Sequence, residues 1–227
     1  MRIVGIVPAA GYATRLQPLD CSKEVLPVGG RPVMDHAVER LRAGGADEVV
    51  LVTRPEKDDV VAHARELGLS VVLGHPPDVA HSFALGMAAL APDDLVLLDW
   101  PDILWGPPDG HARTVAAVRD EGHEVALGLF RTPDLTRSDV VELAPDGRIL
   151  GIQVKPAEPP SEWIWGCACA RVETFAGLAG QEWPGRFLDG LCRAGRDVVG
   201  IPLSSDWLDI GTPESLARAT GADATSG

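Results

Sequence analysis

The sequence predicts an α/β fold: one doubly wound, mostly parallel sheet with a small antiparallel β insertion. Through the first hundred residues, short continuous apolar runs alternate with helical patterns, which is typical of parallel strands that are buried on both faces. After about residue 122 the strand patterns follow one another directly, as in an antiparallel arrangement. The 227 residues suffice for one domain with a sizeable core, and we assign 1–227 to a single domain.

The elements of the first half follow in order. Val33, Ala37, Val38 and Leu41 repeat at helical spacing, so a helix is expected from Pro32 to the glycine pair 44–45. Further strands are expected at 3–7, 49–52, 71–73 and 95–98, and further helices at 58–67 and 81–90. Parallel strands bind ligands at their carboxyl ends, so the residues that follow these strands are the first candidates for a site.

The second half is predicted to be antiparallel between about 123 and 170. Strands are expected at 125–130, 140–143, 149–154 and 164–170, with a hairpin turn at 144–147. This portion is too interleaved with the rest to form a second domain, and it is expected to cover one side of the site. Residues 220–227 are rich in Ala, Gly, Ser and Thr and are expected to be a frayed tail.

Composition excludes several functional classes. The net charge of −13 argues against nucleic-acid binding, which depends on Lys and Arg neutralising phosphates. No run approaches 18 apolar residues and no apolar leader opens the chain, so neither a membrane span nor a signal peptide is expected. The four cysteines form no CxxC pair and are expected to be reduced thiols of a cytoplasmic protein. The oligomeric state is left open, a homo-oligomer included.

The first strand leads into a loop of small residues with cations nearby. Ala9, Ala10, Gly11 and Tyr12 follow Pro8, and then come Arg15 and Lys23. Small residues let backbone N–H groups approach an anion closely, and two cations neutralise it, so this stretch is a candidate phosphate site. The alternative is a tight strand-to-helix turn with surface cations. Only three lysines occur among the 20 basic residues, at positions 23, 57 and 155.

This opening resembles a known family. AAGYATRLQPLD at 9–20 and SKEVLPVGGRPV at 22–33 are similar to the signature AAGxGTRLxPxT…PKxxLPVxxKP of the sugar-1-phosphate nucleotidylyltransferases. The resemblance implies a Rossmann-like nucleotidyltransferase fold. It also implies transfer of a nucleoside monophosphate from a nucleoside triphosphate to a sugar 1-phosphate, with Mg²⁺. Ala9, Ala10, Gly11 and Tyr12 then bind nucleotide, while Arg15 and Lys23 act on the phosphates.

Two aspartates match the carboxylates of the same family. Asp102 lies in WPDIL after the strand at 95–98, and Asp209 lies in DWLDIGTPESL, which is similar to WxDxGTxxxL. The resemblance makes both of them ligands of Mg²⁺, a cation that takes one or two carboxylates alongside phosphate and water. Asp99 is the neighbour that could be mistaken for the first ligand. An N-cap or turn role is the alternative for Asp209.

The sugar side is assigned by resemblance to GVVExxxxGxxxxxxEKP. Lys155 matches the lysine on the sugar phosphate, Glu142 falls in the same motif, and Gly166 matches a glycine that lets the sugar approach the backbone. The segment also departs from the family. Asp139 replaces a glycine, and Val154 replaces a glutamate that accepts from sugar hydroxyls.

Departures also occur on the nucleotide side. Ala13 replaces a loop glycine, a base-reading glycine becomes Val79 or is deleted, and His75 stands where a glutamine is expected to contact the base. We therefore expect glucose 1-phosphate to be a poor substrate and a modified ring to do better, with Asp139 pairing to an amino group or hydroxyl. Two alternatives stay open: a non-catalytic nucleotide-sugar binder, and a cytidylyltransferase that acts on a non-sugar phosphate.

Overall fold

A computed structural model describes residues 1–204 and 206–221. Its β-strands are β1 (Ile3–Pro8), β2 (Pro27–Val28), β3 (Arg31–Pro32), β4 (Glu48–Thr53), β5 (Ser70–Leu73), β6 (Leu95–Leu98), β7 (Ile103–Trp105), β8 (Val125–Arg131), β9 (Asp139–Leu143), β10 (Ile149–Val154), β11 (Trp163–Arg171), β12 (Val198–Ser204) and β13 (Trp207–Asp209). Its α-helices are α1 (Val33–Ala43), α2 (Asp58–Glu66), α3 (Val79–Met87), α4 (Gly110–Arg119), α5 (Pro184–Arg193) and α6 (Pro213–Thr220).

A nine-stranded mixed sheet forms the centre of the molecule, and its first half is parallel as predicted. β1 pairs in parallel with β4 and β6, and β4 pairs with β5. Helices α3 and α5 pack on one face of this sheet, and α1, α2 and α4 pack on the other. Burial on both faces explains why these strands are continuously apolar in the sequence.

The antiparallel strands extend the same sheet and make it fork. β11 pairs with β8 along its length, while its other edge pairs with β6 through residues 168–171 and with β9 at Ile164. A register shift between Trp165 and Cys167 lies between these two partners. On this edge of β11, residues 165–167 have neither strand as a partner. The sheet therefore forks there, between the end of β6 and the start of β9.

Several local boundaries differ from the sequence-based ones. Helix α3 begins at Val79 instead of 81 because Asp78 caps it by accepting from the backbone N–H of His81 at 2.9 Å. The predicted hairpin turn at 144–147 connects β9 and β10. All four cysteines are free thiols. The predicted tail begins with the last residue of α6 and its capping Gly221, and the rest of it lies outside the described residues.

The longest helix in residues 1–204 and 206–221 is α1 with 11 residues. Spanning a bilayer takes about 20 apolar residues. None of the described helices is long and apolar enough to cross a membrane.

Asp99 fixes the end of β6 and has a structural role. The side chain is fully buried and accepts from Nε and Nη2 of Arg40, each at 3.1 Å, while Nε2 of His111 lies 3.0 Å away. The indole N–H of Trp105 and the backbone N–H of Trp100 also donate to it. Burial alone would raise the pKa of Asp99, but Arg40 and His111 hold it below its usual value. All of these contacts point into the protein.

We predict that Asp99→Asn lowers the free energy of unfolding by roughly 3–5 kcal/mol, because it leaves the buried guanidinium of Arg40 without a counter-charge. Urea denaturation followed by circular dichroism measures the change. Asp93→Asn, at an exposed position in the preceding loop, is the control and should unfold as the wild type does. An unchanged urea midpoint for Asp99→Asn would contradict this structural role.

Candidate active site

A cleft of about 380 Å³ opens at the carboxyl edge of the sheet, where the fork widens. Its walls come from the segments after β6 and β8, from the start of β11, and from the β13–α6 connection. Of the residues singled out from the sequence, Arg15, Asp102, Asp139 and Asp209 line this one cleft. The fold thus brings together side chains that are more than 190 residues apart in the chain.

A two-stranded ribbon places the two predicted metal carboxylates side by side. β7 pairs antiparallel with β13, so that Asp209 lies opposite Ile103, and the backbone N–H of Ile210 donates to the carbonyl of Asp102 at 2.9 Å. Enclosure in the cleft and the negative charge of Asp102 raise the pKa of Asp209, while Lys23 and Arg15 lower it. Like charges near one another disfavour ionisation of both groups, and a cation beside them offsets this cost.

Two cations already neutralise part of this charge. Nζ of Lys23 forms an ion pair with Oδ2 of Asp102. Burial would lower the pKa of Lys23, but Asp102, Glu24 and Asp209 raise it, so Lys23 is held charged. Arg15 and Asp209 both lie beside Gly211, where a Cβ would lie 2.8 Å from Nη2 of Arg15 and 3.0 Å from Oδ1 of Asp209. A side chain at this position would have to displace the ends of both.

The loop after β1 is fastened through its carbonyl groups. The Ala9 carbonyl accepts from Thr53 at 3.1 Å and from Lys57 at 2.9 Å, and the Ala10 carbonyl accepts from Arg54 at 2.7 Å. A trans peptide directs its N–H opposite to its C=O, so the N–H groups of Ala10 and Gly11 point away from these partners. Among the described residues, no acceptor contacts either N–H. Such amides are available to an anion.

Lys57 anchors this loop through its hydrogen bond to the Ala9 carbonyl. Its ammonium contacts both carboxylate oxygens of Glu24, at 2.8 and 2.7 Å, in addition to the Ala9 carbonyl, so all three of its donors are used. Glu24 is only 1% exposed. Burial raises its pKa, and Lys57 and Lys23 oppose that rise. Ala13, the predicted departure from glycine, keeps the left-handed backbone of a glycine position with φ of 51°.

At the far end of the cleft a buried carboxylate is enclosed by indole rings. Trp183 donates its indole N–H to both oxygens of Asp139 at 2.9 Å, and Trp165 donates to Oδ2 at 3.3 Å. Burial raises the pKa of Asp139 to about 6, although both indoles and Lys155 lower it. Nζ of Lys155 lies 3.9 Å from the ring centroid of Trp183. Lys155 also has a left-handed backbone, with φ of 47°.

Other predicted site residues lie outside the cleft walls. Glu142 is exposed on β9, and His75 is exposed beside Glu56, with Nε2 at 2.8 Å from Oε1. Val154 pairs with Asp139 across β9 and β10, and Val79 packs on the core as the first residue of α3. Their proposed ligand contacts stay predictions.

Close packing against Trp207 explains why position 166 is a glycine. A Cβ there would lie 2.0 Å from the Trp207 ring, so the indole occupies the space where a side chain would stand. The predicted contact of Gly166 with a sugar is untested. What the structure explains is why this position has no side chain.

The tryptophans and Lys57 are the features that sequence reasoning missed. Trp105 packs against Phe130, and Trp163 lies under Arg131. The rings that line the cleft are Trp100, Trp165, Trp183 and Trp207. Composition was the available signal. Lys57 is one of only three lysines, and the chain has six tryptophans but a single tyrosine.

The fold and the site together define a class of α/β proteins that carry an amide-rich loop and a carboxylate pair at the carboxyl edge of a mixed sheet. The chain belongs to the family of MobA-like NTP transferase domains, whose sequence profile matches residues 5–143. The matched region begins in β1 and ends in β9. The relationship to sugar-1-phosphate nucleotidylyltransferases that the motifs predict is thereby confirmed at the level of the family.

Individual relatives agree with this assignment. The chain is 29% identical over 223 residues to a glucose-1-phosphate thymidylyltransferase of Streptomyces griseus, an alignment that covers 91% of this chain and 62% of the relative. It is 28% identical over 235 residues to the enzyme of the same name from Neisseria gonorrhoeae, with 95% and 80% covered. The chain therefore spans less than two thirds of the Streptomyces protein.

A solved structure shares the whole fold. The crystal structure of a Bacillus anthracis protein, described as a glucose-1-phosphate thymidylyltransferase in complex with sucrose, superposes with a TM-score of 0.85. The superposition covers 99% of this chain and 96% of that one at 22% sequence identity. Similarity at this identity establishes the fold.

We predict that Lys57→Met lowers the free energy of unfolding by roughly 3–5 kcal/mol, because Glu24 stays buried without its partner. In this variant Glu24 can become neutral by taking up a proton at low pH. The loss in the free energy of unfolding should therefore be smaller near pH 5 than near pH 8. Urea denaturation at the two pH values measures both effects. Arg65→Met, an exposed cation of α2, is the control.

The double variant Lys57→Met/Glu24→Met separates stability from loop position. Replacing both charges by apolar groups should restore most of the stability, since replacing a buried pair in this way is often neutral. It does not restore the hydrogen bond to the Ala9 carbonyl, so triphosphate binding should stay weakened. Wild-type triphosphate affinity of the double variant, measured by calorimetry, would contradict an anchoring role for Lys57.

Proposed function

We propose that this protein transfers a nucleoside monophosphate from a nucleoside triphosphate to a sugar 1-phosphate, giving a nucleoside diphosphate sugar and pyrophosphate. A phosphate oxygen of the sugar phosphate attacks the α-phosphorus of the triphosphate, and the bond to the pyrophosphate oxygen breaks. The second pKa of a phosphate monoester is about 6, so the attacking group is already largely dianionic near neutral pH. The reaction therefore needs positioning and charge neutralisation, with no general base.

The observation that carries this proposal is the meeting of Asp102, Asp209, Arg15 and Lys23 beside the loop with its free amides. In this scheme the N–H groups of Ala10 and Gly11 and the guanidinium of Arg15 hold the leaving phosphates. Lys23 neutralises the central phosphate. Lys155, whose ammonium lies over the ring of the cleft residue Trp183, binds the phosphate of the sugar.

Asp102 and Asp209 fit a magnesium ion by the chemistry of their donors. Mg²⁺ prefers hard oxygen ligands and is bound through one or two carboxylates, with substrate phosphates and water completing its shell. Burial and the neighbouring charge of Asp102 raise the pKa of Asp209, a cost that a divalent cation would offset. Bound there, Mg²⁺ would neutralise charge on the reacting phosphates.

The same carboxylate pair favours an enzyme over a non-catalytic nucleotide-sugar binder. A binder gains nothing from two adjacent carboxylates in a site for anionic phosphates, because they repel the ligand unless a metal ion is present. The identity of the base is left open, since His75 and Val79 occupy the positions where relatives are expected to read it.

We predict that Asp102→Asn and Asp209→Asn each lower turnover at least about 100-fold, because charge stabilisation of the transition state is lost. Asp209→Asn should leave the melting temperature unchanged or raised, since it removes repulsion from Asp102. Pyrophosphate release at matched Mg²⁺ concentration measures turnover. Asp206→Asn, which replaces an exposed aspartate just before β13, is the control. Near wild-type pyrophosphate release by Asp209→Asn would refute the assignment.

Arg15 and Lys155 should affect different substrates, because Arg15 lies beside Gly211 and Asp209 whereas Lys155 lies over Trp183. Arg15→Ala should raise KM for the triphosphate and slow turnover, whereas Lys155→Ala should act mainly on KM for the sugar phosphate. Arg131→Ala is the matched control, since Arg131 also stacks on a tryptophan, Trp163, away from the cleft. Equal effects of both variants on both substrates, by steady-state kinetics, would rule out this division.

A further inference from the structure

We infer that the phosphorylated acceptor carries a protonated amine and that the amine pairs with Asp139 at the far end of the cleft. This inference rests on the proposed function and deepens it, since it names the class of sugar phosphate as amino sugars. Asp139 would act as a residue that determines specificity and takes no part in the bond-making step.

The first argument is that Asp139 lacks the partner that other buried acids have. Buried charges in proteins are normally paired with an opposite charge. Among the described residues the other buried acids follow this rule, because Glu24 pairs with Lys57, Asp94 with Arg2 and Asp99 with Arg40. Asp139 is 9% exposed, and no Lys, Arg or His nitrogen of the described chain lies within 4.0 Å of it.

The second argument is that the surroundings hold this carboxylate in place without neutralising it. Indole N–H groups are neutral donors, and those of Trp165 and Trp183 fix both oxygens of Asp139. A carboxylate has about four lone-pair sites, so acceptor capacity remains for a ligand. Gly185 leaves space for the carboxylate of Asp139 itself, since a Cβ there would lie 2.1 Å from Oδ2 of Asp139.

The third argument is the character of the wall beside Asp139. Trp100, Trp165 and Trp183 line the same cleft, and the rings of Trp100 and Trp165 are 5.9 Å apart. The faces of indole rings attract cations, and Lys155 over Trp183 is an example within this protein. A carboxylate beside indole rings favours a cation over a neutral hydroxyl, because a hydroxyl leaves the buried charge uncompensated.

The test compares acceptors that differ in one group. Glucose 1-phosphate, its 2-, 3-, 4- and 6-amino analogues and their N-acetyl forms are assayed for pyrophosphate release with each common triphosphate and Mg²⁺. At least one amino analogue should exceed both glucose 1-phosphate and its own N-acetyl form by about tenfold or more in kcat/KM, as expected for a charge-assisted pair. Phosphoethanolamine is included as an ammonium phosphate that is not a sugar.

Two variants separate charge recognition from a merely structural role. Asp139→Asn should bring the ratio of kcat/KM between the best amino analogue and glucose 1-phosphate close to one. Asp134→Asn, which replaces an exposed carboxylate that also lines the cleft, should leave this ratio unchanged. If Asp139→Asn does not fold, the wild-type comparison of amine with N-acetyl decides, because acetylation removes the charge and keeps the nitrogen.

The outcomes distinguish this inference from the function on which it rests. Turnover of glucose 1-phosphate that equals or exceeds every amino analogue overturns the inference and leaves the proposed function standing. Turnover of phosphoethanolamine alone supports recognition of an ammonium group and overturns the sugar phosphate as acceptor. If no acceptor is turned over, the proposed function fails, and calorimetric binding decides the inference by whether the amino analogues bind more tightly than glucose 1-phosphate.

Discussion

The constraint on which the site depends is the placement of two negative charges side by side. Asp102 and Asp209 meet because β7 and β13 form a short ribbon across the mouth of the cleft. Such a pair is unfavourable by itself, and Lys23 and Arg15 offset it from the other side. The resulting mixture of fixed charges is poorly suited to an apolar ligand and well suited to phosphate groups that arrive with a divalent cation.

Buried ion pairs behind the site hold its parts in position. The pair of Arg40 and Asp99 fixes the end of β6, three residues before Asp102, and the pair of Lys57 and Glu24 lies under the loop after β1. Glu24 directly follows Lys23 in the chain, so one short 3₁₀ turn directs one charge toward the cleft and the next toward the interior. Removing either partner leaves an uncompensated buried charge, so each pair disfavours displacement of the segment that it holds.

The predicted elements of the first half agree with the structure because the inner strands β1, β4 and β6 are buried on both faces and each helix has one apolar face. Helices α4 and α5 and strand β12 were not predicted. Helix α5 contains a proline and two glycines in ten residues, so its composition argues against a helix although Leu188 packs in the core. In the site, motif spacing identified Asp102 and Asp209, whereas Trp165 and Trp183 belong to no motif and could be placed only by the fork of the sheet.

The sequence by itself determined the fold class, and it predicted the loop after β1 and the charged residues that meet near the cleft, because these depend on local periodicity and on short motifs. Tertiary structure gave the physical reason why two neighbouring aspartates differ. Asp99 and Asp102 are three residues apart and chemically identical, yet one is buried against Arg40 and the other faces the cleft. It also decided that Asp139 is a buried carboxylate with no cation of the described residues within 4.0 Å, since that property depends on what β9, β11 and the start of α5 bring around it.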